Sequence, residues 1–430
     1  MARKRVVVTG LGVLAPNAHG LEEYEAALRH GRSGIRFIQK LQALKFGCQV
    51  GGVPQGVEAL KLRYFTPDLQ LSVRSNIVAF ACIAGIDCWR DAGFEVPTGD
   101  DQRIDWQTGA IIGGGIGGVD LLCDFAAPLI EAGKARRLGS TIVEQIMVSG
   151  PSARLGGLLG LGGQVTTNSS ACTTGTEAVV QAYRMIADGY AGRMLAGGAE
   201  CDSHIIWGAF DAMRVLSTGF NDAPEQASRP MSASAGGFVP GSGAGILLLE
   251  DLELALARGA RIYAEVLGAA VNAGGHRGGG SMTAPNPEGV RRCIRAAVTD
   301  AGIAPCDIDA INGHLTATFA DPHEVLNWQA ALELEPANMP WINATKSLIG
   351  HGLGAAGGLE CVAAVLQLHS GFVHGSANCN DVHPALDAFR GSITHETIDQ
   401  DLKVIAKASF GFGDVNGCLI VKKWENETHG

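Results

Sequence analysis

The stretch Val165–Glu200 has the sequence VTTNSSACTTGTEAVVQAYRMIADGYAGRMLAGGAE. It predicts a short buried strand over Val165–Thr167, a tight turn over Asn168–Ala171 and a helix from Thr173, because apolar residues then recur every three to four positions. Cys172 would lie at the helix N-terminus, where unpaired N–H groups and the helix dipole favour a thiolate. The stretch therefore predicts a nucleophilic cysteine, with a buried packing cysteine as the alternative.

The composition is typical of a globular enzyme. Of the 430 residues, 46% are hydrophobic, 18% are charged and 60 are glycine, which indicates a large packed core rather than disorder. A formal net charge of −10 argues against nucleic acid as the main partner, because phosphate binding needs a basic surface. The length allows two or three domains of ordinary size.

Cysteine usage and hydropathy bear on the compartment. The 11 cysteines include no CxxC pair, so we expect neither disulfides nor a zinc site but a reducing, cytoplasmic setting. The start, MARKRVVVTGLGVLAPNA, has the basic and apolar parts of a signal peptide, but Thr9, Gly10 and Gly12 interrupt it, so we expect a first strand there. No segment is apolar for the ~18 residues of a membrane helix, so we expect no membrane span.

Hydrophobic periodicity predicts strands that alternate with helices along the whole chain. The predicted strands are Arg5–Leu14, Ala110–Ile112, Val165–Thr167, Arg193–Ala196, the end of Gly237–Glu250, Arg261–Ala270, Asp309–His314, Trp341–Thr345, Val404–Ser409 and Cys418–Lys422. The predicted helices are Leu21–His30, Leu71–Gly93, one from Val119, Thr141–Gly160, one from Thr173, Leu252–Arg258, Pro287–Gly302, Pro322–Leu332 and Gly354–Ser370, and Phe37–Gly56 is predicted as a loop.

The two halves of this pattern correspond to each other. Each contains a short strand, a turn of small residues and a helix rich in glycine and alanine, at Cys172 in the first half and at His351 in the second. We therefore predict an α/β fold made of two pseudo-repeated halves, residues 1–258 and 259–430, that share one interface.

Three glycine-rich segments of the second half carry further chemistry. His314 lies in NGHLTAT at a predicted strand end, and Lys346 and His351 lie five positions apart in NATKSLIGHGLGAAGGLE. The segment SFGFGDVNG, from Ser409, is too rich in glycine to be regular structure. A lone histidine is usually an ordinary core or surface residue, but this set suits one task. A cysteine takes an acyl group while two neutral imidazoles donate hydrogen bonds to a developing oxyanion.

At these residues the chain resembles the elongating β-ketoacyl-acyl-carrier-protein synthases, condensing enzymes with the thiolase fold, a layered α-β-α-β-α architecture. The resemblance runs nearly end to end. Its blocks are RVVVTGLGVLAPNA from Arg5, SSACTTGTEA from Ser169, LSTGFNDAPEQASRP from Leu216, GFVPGSGAGILLLE from Gly237, NGHLTAT from Asn312, TKSLIGHGLGAAG from Thr345 and SFGFG from Ser409.

The resemblance implies a role for each site residue and a reaction. It implies that Cys172 accepts the acyl group, that His314 and His351 stabilise the enolate formed when malonyl-carrier loses carbon dioxide, and that the acyl chain grows by two carbons. The implied supporting residues are Lys346 with its partner Glu360, and Asp321 and Glu324, which brace the loop. Phe412 is the implied gate, and its N–H and that of Cys172 hold the oxyanion. The implied substrate-binding residues are Thr316, Thr318 and Phe410.

The chain departs from the family pattern in three places. Leu315 follows the first histidine where glycine is usual, Gly352 follows the second, and Asp414-Val415 replace the more familiar Gly-Thr. These changes remove no reactive group, but they bear on chain-length preference and on the shape of the pantetheine tunnel.

Rival functions belong to other classes. Gly113, Gly115 and Gly118 follow a predicted strand and precede a helix, which is part of a dinucleotide fingerprint and favours an NAD-dependent oxidoreductase. A catalytically silent chain-length factor is the non-enzyme rival, although such proteins lack the nucleophile. Within the resemblance, housekeeping fatty-acid synthesis and a specialised polyketide or aryl-polyene route both remain open.

The resemblance also implies the partners. An acyl carrier protein brings both substrates, the enzyme needs no metal or diffusible cofactor because the phosphopantetheine belongs to the carrier, and the family is dimeric. Arg193–Ala196 is our candidate interface strand. Because the carrier is acidic, we expect it to dock on a local basic cluster. The candidate residues are Lys61, Arg63, Arg74, Lys134, Arg136, Arg137 and Arg214.

Overall fold

The computed structural model describes residues 3–98 and 101–425. Ten strands in the described residues make up the main sheet: β1 (Val6–Ala15), β2 (Thr108–Gly114), β3 (Val165–Thr166), β4 (Arg193–Glu200), β5 (Gly243–Asp251), β6 (Ala264–Ala273), β7 (Ala310–Asn312), β8 (Trp341–Asn343), β9 (Val404–Gly411) and β10 (Val415–Lys423). The short strand Ala18–His19 pairs beside β1.

Six helices pack on this sheet: α1 (Asn76–Asp91), α2 (Gly150–Leu159), α3 (Thr174–Ala187), α4 (Pro287–Ala301), α5 (Asp321–Leu332) and α6 (Ala356–Ser370). Shorter helices cover Leu21–Arg29, Gln39–Ala43, Val57–Tyr64, Pro67–Gln70, Val119–Leu121, Ala127–Glu131, Ile142–Ile146, His204–Ala212, Leu252–Ala257 and Lys346–Ile349, with a π-helical turn at Leu122–Ala126. Two small strand pairs join Ile35–Phe37 to Val50–Gly52 and Phe372–Val373 to Ile398–Asp399.

The strand order repeats between the two halves. It is β3-β2-β4-β5-β1 in the first half and β8-β7-β9-β10-β6 in the second, with matching parallel and antiparallel neighbours. A short antiparallel contact of β1 with β6, at Val6–Val8, joins them. The predicted α/β repeat is therefore confirmed. Residues 258 and 259 lie between Leu252–Ala257 and β6, and the division into two domains there stays a prediction.

The helices form three layers around the two sheet halves. The helices α3 and α6 pack against each other and contact strands of both halves, whereas α1 covers the outer face of the first half and α4 that of the second. A Cβ added at Gly175 of α3 would lie 2.4 Å from the backbone N of Gly358 in α6. Glycine therefore lets the two central helices pack backbone to backbone, which brings the turns before them together.

Several predicted elements differ from the structure. The predicted loop Phe37–Gly56 contains one helix, one strand and the last residue of the strand Ile35–Phe37. The predicted helix Thr141–Gly160 is two helices, the second of which has a proline in its first turn. The predicted helix Leu71–Gly93 begins only at α1, because the buried side-chain carbonyl of Gln145 accepts hydrogen bonds from the N–H groups just before it. The strand β3 is half-buried rather than buried.

The prediction that Arg193–Ala196 forms an interface is wrong. These residues belong to β4, which pairs with β2 on one side and with β5 on the other. Both rows of its backbone groups are therefore occupied, and a second chain cannot pair with it. In the main sheet, as the described residues form it, the edge strands are β3 and β8. None of the described helices is long and apolar enough to span a bilayer.

Candidate active site

The nucleophile candidate lies where the first half meets the second. Cys172 is in a single 3₁₀ turn, Ala171–Thr173, directly before α3. Ala171 has a positive φ of 49°, and the turn is held by a hydrogen bond from the N–H of Ser170 to the hydroxyl of Thr174. A Cβ at Gly411, at the end of β9, would lie only 3.1 Å from the backbone N of Cys172. The end of β9 therefore presses against the cysteine turn.

Burial disfavours the charged form of the Cys172 thiol. Burial raises the pKa of Cys172 to about 11, and the Lys346 charge and a hydrogen bond from the Phe412 N–H offset only part of that rise. Desolvation of the charged sulfur thus opposes the thiolate that a helix N-terminus favours, and the thiolate expected from the sequence stays a prediction.

Two neutral imidazoles surround the sulfur. Side-chain atoms of Cys172, His314 and His351 all lie within 4.8 Å of one another, and the two rings are 5.4 Å apart in an edge-to-face arrangement. Burial and the nearby Lys346 charge hold the pKa of both histidines well below its usual value. Both rings therefore stay neutral at physiological pH and can donate one hydrogen bond each.

Fixed donors select the tautomer of each ring. The N–H of Leu353 donates to Nδ1 of His351 over 3.2 Å, and the ammonium of Lys346 lies 3.4 Å from Nδ1 of His314. A nitrogen that accepts a hydrogen bond carries no proton in the neutral ring, so Nε2 carries it in both histidines. The pair thus presents two N–H donors.

A buried charge cluster supports the histidine side of the site. Lys346 donates to the carbonyl of His314 over 2.6 Å and to the carboxylate of Glu360. The other carboxylate oxygen of Glu360 lies 2.9 Å from the ammonium of Lys407, and all three charged side chains are almost completely buried. Since neither lysine can reach water, the carboxylate is what makes their charges tolerable in the core.

Two carboxylates shape the loop that follows His314. Glu324 accepts hydrogen bonds from the N–H groups of His314 and Leu315 at 2.6 and 2.8 Å, and Asp321 accepts from Thr316 and three further backbone groups. Leu315, where family members usually have glycine, has a positive φ of 22°. The carboxylates therefore hold a strained backbone in place.

A cavity of about 490 Å³ leads to the three reactive side chains. Near Cys172 and its partners it is mostly apolar, and Phe319, 79% exposed, and Met213 lie at its rim. Its aromatic and aliphatic lining includes Phe210, Val215, Phe238, Leu353, Phe410 and Phe412, and its polar lining includes Thr316 and Thr318. An apolar cleft that ends at a cysteine suits an acyl chain or a pantetheine arm.

Two family models cover most of the chain: Beta-ketoacyl synthase, N-terminal domain, matches residues 3–255, and Beta-ketoacyl synthase, C-terminal domain, matches residues 263–380. The chain belongs to the β-ketoacyl synthase family. The "3-oxoacyl-[acyl-carrier-protein] synthase 2" of Vibrio harveyi is 35% identical to this synthase, over 98% of this chain and 99% of its own.

Solved structures resemble this synthase over nearly its whole length. A β-ketoacyl synthase from Burkholderia phymatum STM815 is 30% identical, has a TM-score of 0.87 and is matched over 98% of this chain and 100% of its own. A "type II PKS acyl-carrier protein in complex with its ketosynthase bound to the hexaketide" is 26% identical, with a TM-score of 0.85 and coverage of 98% and 100%. The predicted thiolase-fold architecture is thus confirmed.

The structure brings the residues singled out from the sequence into one region. Cys172, His314 and His351 line the cavity together with the predicted substrate-binding and gating residues, whereas Lys346 and Glu360 lie behind the histidines. Their roles in the reaction stay predictions.

Sequence analysis missed two buried charges of the site. Lys407 completes the charge cluster with Glu360, and Glu200 accepts hydrogen bonds from backbone groups on both sides of the site. The available signal was a single charged residue in an otherwise apolar strand, VIAKASFG for Lys407 and MLAGGAE for Glu200. Such a residue needs a partner inside the core.

The unusual Asp414 ties the Phe412 loop to the loop of residues 274–286. Its buried carboxylate accepts hydrogen bonds from the N–H groups of His276 and Asn286 at 3.0 and 2.7 Å. Asp414 has a φ of 59°, a conformation that aspartate tolerates better than most residues. This departure from the family pattern is therefore a link between two loops at the cavity.

The glycine run from Gly113 to Gly118 has a packing role. A Cβ at Gly113 would lie 2.3 Å from the methyl group of Thr174, and the N–H of Gly115 is taken by Glu200. These observations weigh against the NAD-dependent alternative.

The cysteine and two histidines also meet the distance requirement of a metal site. However, the ammonium of Lys346 lies 3.4 Å from Nδ1 of His314, and a positive charge so close opposes a bound cation. That the site works without a metal or a diffusible cofactor stays a prediction.

Proposed function

We propose that this synthase catalyses the decarboxylative condensation of an acyl group, held on Cys172, with malonyl-acyl-carrier protein. The product is a 3-oxoacyl-carrier two carbons longer. The observation that carries the proposal is the meeting of one thiol and two neutral imidazoles, within 4.8 Å, at the end of an apolar cavity. A thiol supplies the acyl acceptor, and two N–H donors supply the oxyanion stabilisation that enolate formation needs.

In the first half-reaction Cys172 attacks the thioester of an acyl-carrier. The new S–acyl bond forms, the bond to the pantetheine sulfur breaks, and the departing sulfur takes the proton of the buried thiol. The backbone N–H groups of Cys172 and Phe412 are the proposed oxyanion donors. This is supported by the hydrogen bond from the Phe412 N–H to the Cys172 sulfur and by the close packing of Gly411 on the cysteine turn.

In the second half-reaction the malonyl thioester loses carbon dioxide. His314 and His351 donate from Nε2 to the thioester oxygen and stabilise the enolate, whose carbon then attacks acyl-Cys172. Burial keeps both rings neutral, and the charge of Lys346 adds to this effect. Lys346 also orients His314 through two contacts. Neutral rings are needed, because an imidazolium would lose its proton to the enolate rather than stabilise it by a hydrogen bond.

Fatty-acid synthesis is the pathway we propose. The name of the Vibrio harveyi relative, at 35% identity, favours it, and the similarity to a polyketide ketosynthase at 26% identity keeps a specialised polyketide or polyene route as the second candidate. We further propose a cytoplasmic homodimer. We propose the edge strand β3 for pairing with a second copy, because Ile342 of the other edge strand, β8, already forms backbone hydrogen bonds with Ser392 and Thr394.

The proposed partner is an acyl carrier protein, like the one bound to the ketosynthase just described. Of the basic residues named from the sequence, Arg214 lies next to the cavity-lining Met213 and Val215 and is exposed. Lys61 and Arg74 are already engaged, the first with Asn76 and the second over the ring of Phe125. Arg214 is therefore the docking residue we favour, and R214E is expected to raise the carrier KM with little change in kcat.

Intact-protein mass spectrometry tests the proposed reaction. The enzyme is mixed with a panel of acyl-carriers, and malonyl-carrier is then added. We expect an acyl mass on the Cys172 peptide that disappears as β-ketoacyl-carrier forms, and C172A is expected to take up no acyl group. The acyl group that is transferred best distinguishes fatty-acid synthesis from a polyketide or polyene route. Absence of both an adduct and carbon dioxide release would instead favour a silent partner subunit, and thermal stabilisation by NAD would revive the oxidoreductase.

A further inference from the structure

Glu200 is a buried carboxylate that the proposed reaction does not use. It is the last residue of β4 and is 3% exposed, and burial raises its pKa to about 7. Its Oε2 accepts two hydrogen bonds, from the N–H of Gly115 at 3.0 Å and from the N–H of Gly354 at 3.1 Å. These two glycines belong to different halves of the molecule, so one oxygen atom joins the halves beside the site.

One of the two hydrogen bonds leads to His351. Gly354 directly follows Leu353, whose N–H donates to Nδ1 of His351 over 3.2 Å. Both residues belong to the single 3₁₀ turn before α6. The hydrogen bond to Gly354 therefore holds this turn in place. The N–H of Leu353 in the same turn sets the tautomer and the orientation of the His351 ring.

The other hydrogen bond leads to Cys172. The carbonyl of Gly115 accepts a hydrogen bond from the hydroxyl of Ser169 at 3.0 Å, and Ser169 lies three residues before Cys172 in the same turn segment. The glycine that donates to Glu200 thus also holds the segment that carries the sulfur.

Glycine is required at both contacts. A Cβ at Gly115 would lie 2.4 Å from Oε2 of Glu200, and a Cβ at Gly354 would lie 2.7 Å from the same atom and 2.5 Å from the backbone N of Gly115. Any side chain at either position would push the two turns away from the carboxylate and from each other. The approach of the turns and the position of Glu200 are therefore parts of one arrangement.

We propose that Glu200 is a positioning residue that sets the spacing between the turn carrying Cys172 and the turn carrying His351. Glu200 does not line the cavity, so it acts through the two glycine turns and not on the substrate. The inference rests on the proposed function only for the predicted change in kcat, because the hydrogen bonds of Glu200 are present in the free enzyme.

Hydrogen exchange and kinetics of three variants test the proposal. In E200A, the amides of Gly354 and Leu353 are expected to exchange about tenfold faster, because the turn loses a buried hydrogen bond. The kcat for malonyl-carrier decarboxylation is expected to fall by a similar factor. E200Q keeps an acceptor oxygen and is expected to retain both properties. E177Q is the matched control, because Glu177 lies on α3 near the site but accepts only from Gln181 among the hydrogen bonds found for its side chain.

E200D keeps the charge but shortens the side chain by one methylene, so it withdraws the carboxylate from Gly354. It is expected to behave like E200A, and it replaces E200A if the alanine variant does not fold. Unchanged exchange at Gly354 in both variants would overturn the proposal. So would an E200Q enzyme as impaired as E200D, because Glu200 would then act through its charge on the thiol. If the wild-type enzyme releases no carbon dioxide, the proposed function fails, but the exchange data still decide the role of Glu200.

Discussion

The substitution Glu360→Gln tests the buried charge cluster most directly. It keeps the size of the side chain but removes the carboxylate charge that faces the ammonium groups of Lys346 and Lys407. Both lysines then remain buried without this counter-ion. We expect the free energy of unfolding at about pH 7 to fall by about 3–5 kcal/mol, the usual cost of removing one partner from a buried ion pair.

The structure sets this magnitude. Glu360 and Lys407 are 2.9 Å apart, and two unit charges at that distance attract by about 6 kcal/mol at an effective dielectric constant of about 20. Removing the carboxylate also removes its own desolvation cost of several kcal/mol. The second ammonium, of Lys346, adds a similar attraction, so a net loss of a few kcal/mol remains.

The pH dependence of the loss has a defined sign. Burial lowers the pKa of Lys346, and Glu360 raises it again in part. A lysine whose folded-state pKa is below its unfolded value stabilises the unfolded state, since the unfolded chain binds more protons, and this effect fades as the pH rises. Without Glu360 the folded-state pKa falls further. The penalty of E360Q is therefore expected to shrink as the pH rises from about 7 towards the ordinary lysine pKa of 10.5.

Guanidinium unfolding, followed by tryptophan fluorescence at fixed protein concentration, measures the loss. The control is D401N, because Asp401 forms an exposed ion pair with Lys423 and its removal is expected to leave stability unchanged. An unchanged unfolding midpoint in E360Q, or a penalty that grows with pH, would refute the account of the cluster.

Two further predictions concern the loops and the imidazoles. In D414G the N–H groups of His276 and Asn286 lose their acceptor, the Asp414 carboxylate. Amide hydrogen exchange in the loop of residues 274–286 is therefore expected to rise about tenfold, as measured by mass spectrometry. Exchange equal to that of the wild type would contradict the link between the two loops. Burial and the nearby lysine charge hold the pKa of His314 and His351 well below 6.5. The NMR signals of the labelled rings are therefore expected not to shift between about pH 8 and pH 6. A titration centred near pH 6.5 would contradict the neutrality of the rings.

Local pattern was enough for much of the fold. The periodicity around Cys172 predicted a strand, a turn and a helix in the right order, and the likeness of that segment to the one at His351 predicted the repeat that the strand order confirms. Element ends were less accurate where a distant side chain intervenes. Gln145 accepts hydrogen bonds from the two N–H groups just before α1 across a long sequence separation, and no local pattern carries that information.

The chemistry of the cysteine depended on surroundings that the sequence does not display. The position of Cys172 before a helix was predicted, and that feature alone favours a thiolate. Its pKa is nevertheless raised to about 11, because other parts of the chain fold over the sulfur and exclude water. Burial is a property of the whole fold, whereas a helix N-terminus is a local one.

The sequence by itself determined which reactive groups exist, on which kind of element each lies, and to which family the chain is similar. Only the tertiary structure decided that Lys407 and Glu360 share one charge cluster and that Glu200 joins the turns of Cys172 and His351. These contacts link residues far apart in the chain. Their distances follow from how two sheet halves and two central helices pack, and packing is a collective result of the entire core.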